Sequence, residues 1–281
     1  MSAKTTIITV CYNSTDVLPT MLDCLPNGAL VVLVDNASSD IAALRILAQK
    51  YGAQLIENTV NVGFGAGNNQ GAKLAQTPYL MFLNPDAQLA PDCLSVLEAA
   101  ATTYPNASAF NPRLLDRHGG EIFRRKTRLD RSFELTGPAP AEDAEIPTLL
   151  GAAIFTPRAI FDELGGFDPD IFLYHEDDDL SLRARQLGPL MRIPGALVTH
   201  SEGRSTARTP QVAAFKAYHM ARSKVYTYTK HGHRMAWLRT VCEGVLSLLS
   251  PLMFSARKRA KALGFLKGAI SARRDGGRGF G

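Results

Sequence analysis

Cysteine is scarce in this sequence, and long uninterrupted apolar runs are missing from it. The four cysteines, Cys11, Cys24, Cys93 and Cys242, have no C-x-x-C spacing. They predict reduced thiols in the cytoplasm rather than a disulfide framework or a zinc site. The lack of about 18 consecutive apolar residues argues against a transmembrane helix. Because a strand-like run begins at Thr5, we also expect no secretory signal peptide.

Charge is distributed unevenly along the 281 residues. Residues 201–281 carry 16 Lys and Arg against 3 Asp and Glu, whereas residues 1–200 carry 15 against 23. The net charge of +5 therefore conceals an acidic part and a basic part. This asymmetry indicates two functions along the chain, and an anionic partner for the basic part.

Strand and helix signals alternate through the first hundred residues. Buried-strand patterns occupy 7–11, 30–34, 54–57 and 79–83, and helical patterns occupy 15–25, 38–51, 65–75 and 91–103. The alternation predicts an α/β domain whose parallel strands are covered by helices on both faces.

The pattern changes after residue 106. We expect short strands and loops over 107–128, a flexible loop over 130–147, a strand at 151–155, helices at 157–164 and 176–186, and two short strands at 190–193 and 196–199. Composition divides the chain into a domain at 1–208, a basic amphipathic helical extension at 209–272, and a disordered tail at 273–281.

Polar residues follow the predicted strands of the first domain. They are Tyr12 and Asn13, Asp35 and Asn36, Asn58 to Asn61, and Asn84 to Asp86. The carboxyl ends of such strands form the ligand-binding edge of a doubly wound sheet. Asp35 suits a ribose or base edge there, although Asp35 and Asn36 could merely begin a turn before Ser38.

A glycine-rich segment, 61–71, leads into the third predicted helix. Glycines allow close backbone approach, and a helix N-terminus favours phosphate. The signal is weak by itself because such loops also serve as ordinary turns. No GK[ST] motif follows, so the segment is not a Walker loop.

Four consecutive carboxylates, Glu176 to Asp179, are embedded in apolar sequence. Acidic residues in a first helical turn stabilise the helix dipole, which accounts for one or two of them. Adjacent helical residues point about 100° apart, so the four cannot act together. We expect Asp179 to pair with Arg183, and Glu176 and Asp177 to face the cleft.

Asp86 and His200 are candidate metal ligands. A carboxylate at the end of a strand can hold Mg²⁺ or Mn²⁺ against a diphosphate, although Asp86 could instead form a turn before Pro91. Neutral imidazole suits Mn²⁺ better than Mg²⁺, although a lone histidine such as His200 is more often structural.

The ordered set of motifs over about residues 5–206 resembles the inverting family 2 glycosyltransferases of the GT-A fold, and more narrowly their bacterial rhamnosyltransferase branch. The matching residues are Thr9 to Asn13, Val34 to Asp40, Asn61 to Gly65 with Asn68 and Asn69, Phe82 to Asp86, Gly151 and Ala152, Gly165 to Asp168, Glu176 to Leu180 with Arg183, and His200. The resemblance implies a Rossmann-like mixed sheet flanked by helices, followed by the C-terminal helical extension.

The resemblance also implies a role for each residue. Asp177 would be the general base, with Glu176 beside it at the acceptor, and Asp86 and His200 would hold Mg²⁺ or Mn²⁺. Asn84 stands where the family's metal-binding DxD motif begins with Asp, which leaves its role as a ligand open. Gly151 and Ala152 would bind the acceptor. The donor-binding set would be Tyr12, Asn13, Asp35, Asn36, Asn61, Gly63, Phe64, Asn68, Asn84 and Arg204.

The implied activity is transfer of L-rhamnose from dTDP-rhamnose to a glycan or lipid-diphosphate-linked acceptor in cell-surface polysaccharide synthesis. Alternatives are another sugar (galactofuranose, N-acetylglucosamine or glucose) from a UDP or GDP donor, and a non-catalytic protein that binds sugar nucleotides. The basic helices suit an anionic membrane surface at the inner face of the cell membrane. Alternatively, they pack on the first domain or form a homodimer interface. They contain no recognisable nucleic-acid motif.

Overall fold

The computed structural model describes residues 3–201, 209–249, 255–276 and 278. The strands are β1 Thr5–Cys11, β2 Leu30–Asp35, β3 Gln54–Glu57, β4 Tyr79–Leu83, β5 Ala87–Leu89, β6 Ala109–Asp116, β7 Glu121–Ile122, β8 Ala144–Glu145, β9 Ala153–Pro157 and β10 Leu190–His200. The helices are α1 Leu18–Asp23, α2 Ile41–Tyr51, α3 Phe64–Leu74, α4 Cys93–Thr103, α5 Arg158–Glu163, α6 Glu176–Ala184, α7 Pro210–Lys230, α8 Ala236–Leu248 and α9 Ala256–Asp275.

All the strands join one mixed sheet. Its order is β3-β2-β1-β4-β9-β6-β10-β5, with β7 beside β6 and β8 beside β10. The first four strands in this order are parallel, and β9 runs antiparallel to β4 and β6. The predicted mixed sheet flanked by helices, with helices after it, is confirmed.

Two apolar layers cover the faces of the sheet. On one face, α1, α2 and α4 contribute buried residues such as Leu18, Leu44 and Leu97. On the other face, α5 and α6 contribute Phe161 and Leu180 together with α3. A buried strand needs an apolar residue on both faces, which explains why β1 and β4 consist almost entirely of buried residues.

Two of the strand predictions in the second half of the domain were wrong. β6 is a single eight-residue strand, where the sequence suggested short strands and loops. Pro112 and the buried polar Asn111 interrupt the strand pattern in the sequence. Asn111 is satisfied in the fold because its Nδ2 donates to the carbonyls of Leu150 and Ala153, at 3.2 and 2.6 Å. β10 is also one strand rather than two, because its pairing with β6 continues after a register shift between Ile193 and Leu197.

Two further segments differ from the expectations. Part of the expected loop at 130–147 joins the sheet as β8, and Ile146 is buried. Part of the expected disordered tail is helical, since α9 continues to Asp275, whose carboxylate pairs with Arg222 at 2.7 Å. Among the described helices, none combines the length and apolarity needed to cross a membrane.

The C-terminal helices pack closely because α9 presents glycines to its neighbours. A Cβ on Gly264 would lie 2.4 Å from the carbonyl oxygen of Ala214 in α7, and one on Gly268 would lie 2.2 Å from that of Tyr218. Backbone atoms cannot move aside as a flexible side chain can. The spacing of four residues therefore places both glycines on the face of α9 that contacts α7.

Replacing Gly268 by alanine should destabilise the protein, because the added methyl group meets the backbone of α7. We expect a loss of about 1–3 kcal/mol in the free energy of unfolding, as is typical of overpacking. Urea unfolding followed by circular dichroism measures it. The matched control is Gly195→Ala, whose Cβ would meet Val96 at an ordinary 3.5 Å. Equal unfolding midpoints for the two variants would contradict the packing described.

Candidate active site

A cleft of about 930 Å³ opens at the carboxyl ends of the parallel strands. The register of β1 with β2 and β4 brings the residues after Cys11, Asp35 and Leu83 to one edge of the sheet. Twelve residues singled out in the sequence line this cleft: Tyr12, Asn13, Asn36, Asn61, Gly63, Phe64, Asn84, Gly151, Ala152, Glu176, Asp177 and His200.

Asparagine side chains fix the loops on one side of the cleft. Asn36 is buried, and its Nδ2 donates to the carbonyl of Gly63 at 2.9 Å. Asn61 Oδ1 accepts the backbone N–H of Gly63 at 2.9 Å. Asn13 Oδ1 accepts the backbone N–H of Ser39 at 2.8 Å. These hydrogen bonds hold the ends of β1, β2 and β3 in one rigid rim.

The glycines of the segment at 61–71 make close contacts with other parts of the protein. They do not form an open phosphate-binding loop. Gly63 has φ +91°, and a Cβ there would lie 2.5 Å from the carbonyl oxygen of Phe172. The same carbonyl accepts the N–H of Phe64 at 3.0 Å. Gly71 likewise has Ile8 within 2.5 Å of a built Cβ. The glycines thus bring α3 against the sheet and against the segment that precedes the acidic run.

Three of the remaining sequence-selected residues lie away from the lining of the cleft. Asp35 is buried, accepts the N–H of Ser38 at 3.1 and 3.2 Å, and lines a separate cavity of about 320 Å³ beside Asn58. Asn68 is buried within α3 and donates to the carbonyl of Phe64 at 3.1 Å. Asp86 is described below. Arg204 falls outside the described residues.

The structure brings Asp86 and His200 together although they are far apart in sequence. The short strand β5, which the sequence analysis missed, pairs antiparallel with β10 and sets Ala87 opposite His200. Asp86 Oδ1 consequently lies 3.2 Å from His200 Nε2, and Asn84 Nδ2 lies 3.4 Å from the same nitrogen.

These residues fit a divalent cation. Asp86 Oδ2 is buried without a hydrogen-bond partner among the described residues. One ring nitrogen of His200 cannot donate to Asp86 and accept from Asn84 at once, and a deprotonated Nε2 would point its lone pair towards the carboxylate. The described residues contain no group of three metal-binding side chains. The protein would therefore supply two ligands, a small number that is usual where substrate phosphates complete the coordination of Mg²⁺.

The acidic run begins helix α6 after a strained turn. Tyr174 and His175 have φ +68° and +70°, in the left-handed region that non-glycine residues rarely adopt. His175 Nδ1 lies 3.1 Å from Asp178 Oδ2, which ties the turn to the helix. Strain of this kind is frequent beside functional groups, because surrounding contacts must hold it.

Two of the four carboxylates have structural partners. Asp179 is fully buried and pairs with Arg183, as expected, at 2.9 Å. It also contacts Lys230 and His231 of the C-terminal helices, at 2.7 and 2.8 Å. Burial alone would raise its pKa, but the hydrogen bond from His231 and the charges of Arg183 and Lys230 lower it to about 2.

Asp178 pairs with Arg124 and His175, at 2.5 and 3.1 Å. Its burial would raise its pKa, but the hydrogen bond with His175 and the charge of Arg124 bring the pKa below its usual value. Asp178 and Asp179 therefore stay ionised, and neither lines the cleft.

Asp177 faces the cleft and is held in place by its neighbours. Its Oδ2 accepts from Arg124 Nη1 at 3.2 Å and from the N–H of Gly151 at 3.3 Å. Burial and the nearby Asp178 charge raise its pKa, and the Arg124 charge opposes that rise. Arg124 thus favours an ionised carboxylate inside the cleft.

Glu176 lies beside Asp177 but has no such cation. It is buried, and its Oε2 has no hydrogen-bond partner among the described residues. Burial, followed by the charge of Asp177, raises its pKa to about 8. When two carboxyl groups are adjacent and shielded from water, it costs less free energy for the pair to carry one negative charge than to carry two. At neutral pH, Glu176 is therefore the member of the pair that mainly holds a proton, and Arg124 favours the ionised form of Asp177.

The sequence analysis missed two contributions to the site. Arg124 bridges Asp177 and Asp178 from a segment taken for loops, and nothing local in the sequence distinguishes it from other surface arginines. Helix α7 supplies Gln211, Val212, Phe215 and Lys216 to the lining of the cleft. A helical pattern was recognised there, but composition alone does not say which domain a helix packs against.

Comparisons with known proteins identify relatives of this chain. The family model for glycosyl transferase family 2 matches residues 6–165, more than half of the chain. The chain is 29% identical over 273 residues to the N-acetylglucosaminyl-diphospho-decaprenol L-rhamnosyltransferase of Mycobacterium tuberculosis, covering 85% of this chain and 88% of that protein. It is 25% identical over 190 residues to a low-salt glycan biosynthesis hexosyltransferase of Haloferax volcanii, covering 64% and 61%.

Two solved structures share the fold. S. aureus TarS 1-349 in complex with UDP superposes with a TM-score of 0.56 at 16% identity, covering 97% of this chain and 92% of that chain. GalNAc-T7 with UDP, GalNAc and Mn²⁺ superposes with a TM-score of 0.57 at 15% identity. This chain is 96% covered in that match but spans only 56% of GalNAc-T7.

Replacing Glu176 by glutamine should change stability in a pH-dependent way. A carboxyl group with a raised folded-state pKa stabilises the fold below its unfolded pKa and loses that contribution as pH rises through the folded pKa, here about 8. Relative to wild type, Glu176→Gln should therefore gain on the order of a few kcal/mol in unfolding free energy between pH 5 and pH 9.

Urea unfolding at several pH values measures this difference. The same substitution at the exposed Glu145 controls for the change of chemical group and should show no comparable gain. A stability difference between wild type and Glu176→Gln that stays constant from pH 5 to pH 9 would contradict the raised pKa.

Proposed function

The chain belongs to glycosyl transferase family 2, and from that premise we propose that it transfers L-rhamnose from dTDP-rhamnose to a hydroxyl of a lipid-diphosphate-linked glycan. The similarity to the mycobacterial L-rhamnosyltransferase over most of both chains supports the choice of sugar and acceptor. The observation that carries the proposal is the cleft that combines Asp177 with the Asp86 and His200 pair.

The donor lies along the carboxyl ends of β1, β2 and β4 in this proposal. Asp35 contacts the base or ribose, which agrees with its place in the small cavity beside Asn58. Asn13, Asn36 and Asn61 keep the rim rigid, so that little conformational entropy is lost when the nucleotide binds. Tyr12 and Phe64 contribute aromatic side chains to the lining of the cleft.

Asp86 and His200 would hold a divalent cation, with Asn84 beside them. Such a cation supplies neutralisation of the negative charge on the leaving diphosphate. The unpaired Oδ2 of Asp86 supports this assignment, as does the Mn²⁺ in the structure of GalNAc-T7, which has the same fold.

Asp177 removes the proton from the acceptor hydroxyl. The hydroxyl oxygen bonds to the anomeric carbon from the face opposite the diphosphate, and the bond from that carbon to the diphosphate oxygen breaks. This single displacement inverts the anomeric configuration. Arg124 and the N–H of Gly151 orient the carboxylate, and general-base catalysis of this kind contributes typically 10²- to 10⁴-fold.

Glu176 has a different role from its neighbour. A protonated carboxyl group can donate a hydrogen bond but cannot accept the hydroxyl proton. With its raised pKa, Glu176 therefore orients the acceptor sugar by donation, while Gly151 and Ala152 leave room for the sugar. A Cβ on Gly151 would be in ordinary van der Waals contact with Asp177, at 3.4 Å from its Cβ.

The C-terminal helices bind the inner face of the cell membrane, where a lipid-linked acceptor resides. α8 buries small residues, Ala236, Thr240 and Gly244, and exposes larger apolar ones. Leu246 and Leu249 are 66% and 76% exposed. A helix that turns its small residues inward and its leucines outward suits an apolar phase.

Exposed basic residues lie on α8 and on α9, which packs against it. The exposed ones on α8 and α9 are Arg239, Arg257, Lys258, Arg259, Lys261, Lys267, Arg273 and Arg274. Each lysine or arginine near an anionic bilayer contributes about 1 kcal/mol. We therefore choose an anionic lipid surface as the occupant of this face rather than a second copy of the chain, whose surface would carry the same charge.

Replacing Asp177 by asparagine should lower rhamnose transfer at least 100-fold while leaving nucleotide affinity within about twofold, because the base is lost but the donor rim is intact. Transfer from dTDP-rhamnose to a lipid-diphosphate N-acetylglucosamine acceptor is followed by mass spectrometry, and dTDP affinity by calorimetry. Asp16→Asn, at an exposed carboxylate of the same cleft, is the control for lost charge.

Two results would contradict the proposal. Comparable turnover by Asp177→Asn and wild type would remove Asp177 as the base. If wild type transferred sugar from UDP- or GDP-sugars and none from dTDP-rhamnose, the protein would still be a glycosyltransferase, but the assignment of dTDP-rhamnose as its donor would be wrong.

Replacing Leu246 and Leu249 together by serine should abolish flotation of the full chain on vesicles that contain anionic lipid, since two exposed leucines contribute several kcal/mol of apolar burial. The matched control is the pair Ile46→Ser and Val60→Ser, at exposed positions outside the extension. Equal flotation of both double variants would argue against this face, and a concentration-dependent dimer disrupted by the leucine changes would favour a second copy of the chain.

A further inference from the structure

The cleft contains few permanent positive charges for a site that binds a nucleoside diphosphate. Among the described residues that line it, Asp16, Glu176 and Asp177 are acidic, and Lys216 is the only lysine or arginine. Asp86 adds a further carboxylate next to His200. A diphosphate entering this cleft meets mainly negative charge, so any cation within reach has a large effect on binding.

Lys216 projects from α7 into the same cleft as Asn84 and His200. It is half-buried. Burial lowers its pKa, the charge of Asp86 opposes that lowering, and the charge of Arg257 adds to it. Lys216 therefore shares the lining of one cleft with Asn84 and His200, although Asn84 is far from it in sequence.

Helix α7 holds Lys216 in a fixed position relative to the rim. His219, one turn further on, stacks on Phe172 with ring centroids 4.1 Å apart. Phe172 also accepts the N–H of Phe64 through its carbonyl. At the far end of α7, Tyr226 donates to Asp168 at 3.0 Å. The helix is thus anchored at two points to the segment before the acidic run, which makes Lys216 a preorganised group.

We propose that Lys216 binds the diphosphate of the donor and stabilises it as it leaves, so that helix α7 completes the active site. This inference rests on the proposed function. When the acceptor oxygen bonds to the anomeric carbon, the electron pair of the breaking bond moves to the diphosphate oxygen, and the acceptor proton passes to Asp177. The Lys216 ammonium donates hydrogen bonds to the oxygens on which the charge develops.

The test compares binding of dTDP and thymidine to the full chain by calorimetry, at fixed Mg²⁺ concentration. Lys216→Gln should weaken dTDP binding about 10-fold or more, the effect of losing a charge-assisted hydrogen bond, and leave thymidine binding within about twofold. Lys216→Arg should recover most of the dTDP affinity, because it restores the positive charge. In the transfer assay, Lys216→Gln should lower kcat and leave the KM for the acceptor unchanged.

Lys267→Gln is the matched control, because it removes one positive charge from an exposed position of the same extension, and its dTDP affinity should stay within about twofold of wild type. Unchanged dTDP affinity in Lys216→Gln would overturn the inference while leaving the function intact. Equal weakening of dTDP and thymidine would also overturn it, by indicating a structural role. If wild type binds no dTDP and no UDP, the proposed function fails and the inference with it.

Discussion

Four adjacent carboxylates begin α6, three of them buried and Asp177 partly exposed in the cleft, and their neighbours determine which of them carry a charge. Burying like charges together is costly unless cations or protons compensate. Asp178 and Asp179 have cationic partners, Asp177 shares Arg124, and Glu176 retains a proton. Each helical position faces a different neighbour. The different roles that we propose for Asp177, as the base, and for Glu176, as a hydrogen-bond donor, follow from that difference.

The C-terminal helices contribute to this distribution of charge and to the cleft. Lys230 and His231 reach Asp179 from the end of α7, and residues near the start of α7 line the cleft. A boundary at residue 208 remains a prediction from composition, but the contacts of α7 extend well across it. The same helices expose the leucines and basic residues of the proposed membrane surface, which would bring the cleft close to a lipid-linked acceptor.

Much of the fold followed from local patterns. The parallel strands β1 to β4, the polar rim and the Asp179–Arg183 pair were predictable because periodicity and spacing encode them. β6 and β5 were not predictable. β6 contains a proline and a buried asparagine, β5 is only three residues long, and the partners of both strands are distant in sequence. The contributions of Arg124 and Lys216 to the site could not be predicted from the sequence either, because they depend on tertiary contacts. The glycine-rich segment was recognised, but its tight packing against Phe172 was visible only in three dimensions.

We expect Glu176 to hold a proton at neutral pH because its carboxyl group is buried and because Asp177 beside it adds a negative charge. The direct measurement is the carboxyl ¹³C chemical shift of Glu176, assigned by its loss in Glu176→Gln and followed from pH 4 to pH 10. The account predicts a titration midpoint of about 8, which moves lower in Asp177→Asn because the neighbouring charge is gone. A midpoint near 4.5, the ordinary value for glutamate, would contradict it.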